Sequence, residues 1–64
     1  MYRIYYRFIT DWYVGRTESD PNGFKWLKDG NPYIEKFEDP NSQECQDLFR
    51  EVWENYPNAQ IVKV

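Results

Sequence analysis

Residues 42–56 read SQECQDLFREVWENY, and the spacing within this stretch decides the fold. Cys45, Leu48, Phe49, Val52, Trp53 and Tyr56 recur three and four apart. At ~100° per residue they form one apolar stripe on a helix. Glu44, Asp47, Glu51 and Glu54 follow the same spacing within roughly 80° of arc on the opposite side. One helix, from about Asn41 to Tyr56, therefore carries an inner apolar face and an acidic outer ridge. Asn41 or Ser42 caps its start by accepting a bond from a free backbone N–H. Glu44 suits the positive end of the helix dipole. Pro57 stops the helix, and Asn58 turns the chain.

Upstream, residues 2–9 alternate. Tyr2, Ile4, Tyr6 and Phe8 share one face, and Arg3, Tyr5, Arg7 and Ile9 share the other. β-branched and aromatic residues favour a strand here. Thr10 and Asp11 suit a tight turn, after which Trp12–Thr17 reads as a second strand with Trp12 and Val14 opposite Tyr13. A hairpin is the first reading, and a single long bent strand is the other. Residues 18–23 (Glu-Ser-Asp-Pro-Asn-Gly) form a polar loop rich in breakers. For residues 24–28, either Asp20 caps a short helix with Pro21 at its first position, or the segment is irregular. Tyr33–Glu38 alternates as a third strand, and residues 59–64 form a last strand that needs the helix for cover. The tail 33–64 suggests a right-handed parallel crossover. The expectation is a single α+β domain over residues 1–64, of order ββ(short element)βαβ. One amphipathic helix packs on a mostly antiparallel sheet of three to five strands.

One such helix covers one face of the sheet. The other face then carries Arg3, Tyr5, Arg7, Ile9, Tyr13 and Arg16. Loop 18–32, with Phe24, Trp26 and Leu27, either closes a second small core over it or leaves an aromatic, basic surface exposed.

Composition narrows the function. A chain of 64 residues buries only about 60% of its unfolded surface, so its stability is modest. Its one cysteine, Cys45, lies on the apolar stripe between acidic neighbours and reads as a small buried hydrophobe. An unpaired thiol fits a reducing compartment, and we expect a cytoplasmic protein. Residues 1–9, interrupted by Arg3 and Arg7, read as neither a signal peptide nor a membrane span. With no histidine, the commonest metal ligand and the usual neutral-pH base are both missing. No catalytic set, metal pattern or cofactor motif emerges, and none is expected. The net charge of −3 is unevenly spread: residues 1–17 carry +2, residues 18–38 carry −2 and residues 39–64 carry −3. An acidic total disfavours strong binding to a phosphate backbone. Thirteen Phe, Trp and Tyr residues make up 20% of the chain, a density that suits a small core and also recurs at binding surfaces.

Two resemblances follow from particular residues. Ile4-Tyr5 followed by Tyr13-Val14-Gly15-Arg16-Thr17 resembles the opening of the GIY-YIG nuclease domain. The glycine that stands before Ile4 in that pattern is Arg3 here, and the one long helix that follows has its acids on the outside, so no nuclease is expected. Residues 33–38 and 58–64, in a small acidic chain dense in aromatics, resemble in style the phage-encoded inhibitors of host machinery. Transcription inhibitors and anti-CRISPR proteins are examples. That resemblance implies a non-enzymatic protein-binding module that inhibits or redirects a larger, nucleic-acid-handling assembly in the host cytoplasm. Glu44, Asp47, Glu51 and Glu54 would then meet the partner's basic groove in partial mimicry of phosphates. The alternative is single-stranded nucleic-acid binding through Arg3, Tyr5, Arg7, Tyr13 and Trp26, since bases stack on aromatics while arginine meets phosphate. A surplus aromatic face or free strand edge also allows a homodimer.

Overall fold

A computed structural model describes residues 1–17 and 19–64; for Asp20 and Pro21 it describes the backbone alone. The helix forms where its periodicity places it. α1 spans Gln43–Asn55, and Ser42 Oγ accepts from the Cys45 N–H at 3.3 Å. Gln46 Nε2 ties the preceding turn by donating to the Pro40 carbonyl at 2.8 Å. At the far end the Tyr56 N–H donates to the Val52 carbonyl at 2.9 Å, and Pro57 then removes the next donor.

The strands are β1 (Tyr2–Phe8), β2 (Thr10–Thr17), β3 (Asp20–Leu27) and β4 (Gln60–Lys63). They form one antiparallel sheet in the order β3-β2-β1-β4. Together with α1 they make the two-layer α+β domain expected from the sequence. Ile4, Val14, Phe37, Cys45, Leu48, Val52 and Ala59 are the buried core, with Tyr6, Phe24, Trp26, Phe49, Tyr56 and Ile61 packed against it. The alternation in β1 and β2 is borne out: Ile4 and Val14 enter this core, whereas Arg3, Tyr5 and Tyr13 meet one another on the other face.

Four expectations need correction. The hairpin turns at Ile9, one residue earlier than Thr10-Asp11, since Phe8 already pairs with Thr10. The polar loop extends into a strand: β3 occupies residues 20–27, with Glu18 outside the described residues. Pro21 is tolerated because β3 is an edge strand, and an irregularity between Gly15 and Thr17 absorbs the shift of register. Tyr33–Glu38 is not a strand. It makes isolated bridges, Ile34 with Gly15 and Phe37 with Tyr2, beyond Tyr5–Tyr13, where the β1–β2 pairing ends. Finally, β4 runs antiparallel beside β1, so the tail is not a parallel crossover.

Gly15 makes this arrangement possible. A Cβ there would collide with the Tyr33 carbonyl oxygen and with Leu27 Cδ1. The chain after β3 therefore passes close over β2 only because residue 15 has no side chain. Ile34, carried in by that segment, is buried yet stands apart from the main core.

Candidate functional site

Three surfaces compete for the role, and alternation along the strands separates two of them. On the outer face of the sheet, Tyr5 and Tyr13 are cross-strand partners with ring centroids 5.6 Å apart. The Arg3 guanidinium lies 5.0 Å from the Tyr13 centroid and donates to Asp29 Oδ1 at 2.8 Å. Its side chain is only 14% exposed. Tyr5 Oη donates to Asp11 Oδ1 at 2.7 Å, and Arg7 forms a loose ion pair with the same carboxylate at 3.5 Å. These bonds shift two groups. The guanidinium of Arg3 holds the Asp29 carboxyl below the usual carboxylate range, and the bond to Asp11 pushes the Tyr5 phenol upward. Each arginine proposed for nucleic-acid contact is thus already matched by a carboxylate of this chain.

Trp26, expected beside Arg3 and Tyr5, is not there. It pairs with Val14 across β2 and β3, which turns it to the helix side. Arg16, expected on the outer face, also lies on the helix side, two residues from Val14. The Trp26 correction follows from strand parity once β3 is recognised, and the Arg16 correction from parity with Val14 within β2 itself.

The acidic ridge forms as the helical spacing requires, with Glu44, Asp47, Glu51 and Glu54 all exposed. Gln43 Nε2 donates to Asp47 Oδ1 at 2.7 Å. None of the four carboxylates has an ion-pair partner among the described residues. Glu44, Asp47 and Glu51 line a polar groove with Glu35, Arg16, Phe37 and Leu48. Sequence reasoning missed Glu35 and Arg16 as its other wall, because residues 33–38 read as a strand. The described residues hold no cluster of ligands able to bind a metal ion.

The third surface was not expected. Tyr6, Phe8, Trp12, Trp26 and Tyr56 enclose an open concavity of about 510 Å³ beyond the C-terminal end of α1, within the usual size range of ligand sites. Tyr6, Trp26 and Tyr56 lock together, the Trp26 ring edge-on to Tyr56 at 5.2 Å and Tyr6 edge-on to Tyr56 at 5.4 Å. Trp12 is fixed by its indole N–H, which donates to the Phe8 carbonyl at 3.0 Å. The Lys28 ammonium rests 4.4 Å from the centre of the Trp12 ring. Of the five lining residues, Phe8 is 62% exposed, and Ile9, the next residue, is 87% exposed at the hairpin turn. Ile9 also has φ +65°, a conformation that a β-branched residue rarely adopts. Alternation had already put Tyr6, Phe8 and Trp12 on one face. Trp26 and Tyr56 join them only through tertiary packing.

No helix among the described residues is long and apolar enough to cross a membrane. No family model, curated protein or solved structure matches the chain.

Proposed function

We propose that this protein is a small, non-enzymatic protein-binding module that inhibits or redirects a larger assembly by engaging a basic surface on it. One observation carries the reading: the outer-face arginines are matched by the chain's own carboxylates, whereas the ridge carboxylates lack ion-pair partners among the described residues. Negative charge available to a partner is therefore concentrated on α1, where four carboxylates stand against Arg50, the one basic residue of that helix. From Glu44 to Glu54 it extends roughly 15 Å along the helix axis, a length suited to a groove that normally holds a polyanion. Such rim charges mainly speed encounter and set salt dependence, while apolar contacts govern release. Like charges at these spacings slightly destabilise a helix, and a basic partner would relieve that cost.

Capture from a host lysate by wild type and by the Glu51→Lys/Glu54→Lys variant tests the reading. We expect a captured protein whose association slows, with a shallower salt slope, in the variant while the domain stays folded. An unchanged rate and slope would reduce the ridge to ordinary solvated surface. The nucleic-acid alternative is tested by anisotropy with single-stranded oligonucleotides. Salt-dependent binding abolished by Arg3→Glu/Arg7→Glu would replace our reading with it.

A further inference from the structure

We propose that the aromatic concavity beyond α1 binds an arginine side chain carried on an extended segment of a partner protein. This rests on the reading of the domain as a protein-binding module and names a second contact for the same partner.

The walls come first. Five aromatic rings line the site, and no charged side chain is among the lining residues. Aromatic faces attract cations through the ring quadrupole. This chain shows that attraction at work, because the exposed Lys28 ammonium sits over the Trp12 face. Lys28 is the intramolecular stand-in for a ligand's cation. Being exposed, it is held weakly and can be displaced.

The rim then selects the kind of cation. Tyr56 is the C-cap of α1, whose last turn contains no basic residue and does contain Glu54. The helix end that supplies this wall is therefore negative, from both its dipole and its side chain. A planar guanidinium can stack on a ring and still direct its in-plane N–H groups to carbonyl oxygens, which a compact ammonium does less well. The Trp26 indole N–H is itself buried, so that residue offers its ring rather than a donor.

The tip supplies an independent observation. Ile9 keeps a left-handed backbone and an 87% exposed side chain where glycine or asparagine would be easier. The tight hairpin turn between Phe8 and Thr10 sets this conformation, and a β-branched, exposed residue is a costly choice for it. Ile9 and Phe8 form an apolar lip for the stem and backbone that flank the arginine.

The test uses the isotope-labelled full chain and two capped six-residue peptides, one with a central arginine and one with citrulline, its neutral isostere. The three indole N–H signals report directly. Trp12 and Trp26 line the site, while Trp53 does not and serves as an internal reference. We expect the arginine peptide to shift the Trp12 and Trp26 signals along a saturating curve and to leave Trp53 still. The citrulline peptide should bind roughly tenfold more weakly. Lys28→Ala, which removes the resident cation, should tighten arginine binding by roughly two- to fivefold. Equal binding of the two peptides, or no shift at the highest soluble concentration, overturns the proposal. So does movement of the Trp12 and Trp26 signals on diluting the protein alone, which would make a second copy the occupant. Shifts confined to residues 44–54 overturn it too, but leave the acidic ridge and the protein-binding reading intact.

Discussion

The two faces of one sheet carry the same residue type to opposite ends. Tyr5 and Tyr13 on the outer face are closed off by neighbours from their own chain: Asp11 takes the Tyr5 hydroxyl bond, and Arg3 lies over Tyr13 under the hold of Asp29. Tyr6, Phe8, Trp12, Trp26 and Tyr56 on the helix side stay open. Composition does not distinguish the two groups. What does is whether an acidic side chain of the same chain ties them down, and that depends on which turn follows which strand. Asp29 and Asp11 hold the outer group, whereas the inner group meets the exposed Lys28 over Trp12. The segment after β3 passes over Gly15 and brings Asp29 to the outer face, while α1 ends at Tyr56 before covering the far end of the inner face.

The inner face depends first on the helix. Leu48 is buried in the main core, and Leu48→Ala should cost about 2–5 kcal/mol. In a domain this small that is much of the total stability, so circular dichroism should show a largely unfolded chain at 37 °C. A cooperative melt close to wild type would mean that α1 does not clamp the inner face.

The outer face depends on the close pass at Gly15. Gly15→Ala puts a methyl group against backbone at Tyr33 as well as against Leu27. Backbone cannot swing aside as a flexible side chain can, so we expect a loss of about 1–3 kcal/mol in chemical denaturation. The Asp29–Arg3 pair should loosen with it, because the same segment positions Asp29. A neutral result would show that residues 28–34 adapt freely and that the closure of the outer face is not built in.

How much of this could be read beforehand differs between the faces. The ridge of α1 and its stripe followed from periodicity, because a helix fixes its faces locally, except that Trp53, at the edge of the stripe, is 51% exposed and stays out of the core. Tyr6, Phe8 and Trp12 followed from alternation. Trp26 was misplaced because Asp20, Pro21, Asn22 and Gly23 carry turn chemistry, and only pairing with β2 makes them a strand. Without a strand there is no parity to read. Conversely, Tyr33–Glu38 alternates in sequence as well as any strand in the chain, yet the residues it buries, Ile34 and Phe37, are three apart, and the segment connects β3 to α1. The ion pair from Arg3 to Asp29 spans 26 residues, a separation at which neither spacing nor composition gives a signal.

The lip of the open site should respond in the opposite direction to the core. Ile9→Asn replaces a β-branched residue at φ +65° with one that tolerates this region. Relief of about 1 kcal/mol is expected, which raises the melting temperature by roughly 4–8 °C in a domain of this size. The same variant removes the apolar lip and should weaken partner binding. Stability and binding would then move apart, as they do where strain is kept for a contact. A melting temperature that stays level or falls would mean that the tip stores no strain.

The smallest expected effect is also the one that discriminates the faces by charge. The Arg3 hydrogen bond lowers the Asp29 carboxyl relative to the unfolded chain, with desolvation opposing it. A lowered folded-state value means stability that is present above the unfolded value and is lost as pH falls through the folded one. The Tyr5 phenol moves the other way, chiefly through its bond to Asp11. Its contribution is present below the unfolded value and is lost as pH rises through the folded one. Burial raises the Cys45 thiol as well, so the alkaline limb has two contributors and the acid limb is the cleaner test. Comparing thermal melts at neutral pH and below the carboxylate range, Asp29→Asn should lose less stability on acidification than wild type. The difference should shrink in high salt, because the pair is at the surface. If Asp29→Asn and wild type lose stability in parallel as pH falls, the ion pair over Tyr13 does not persist in solution. The outer face would then be as open as the inner one, and its arginines would be free to meet phosphate after all.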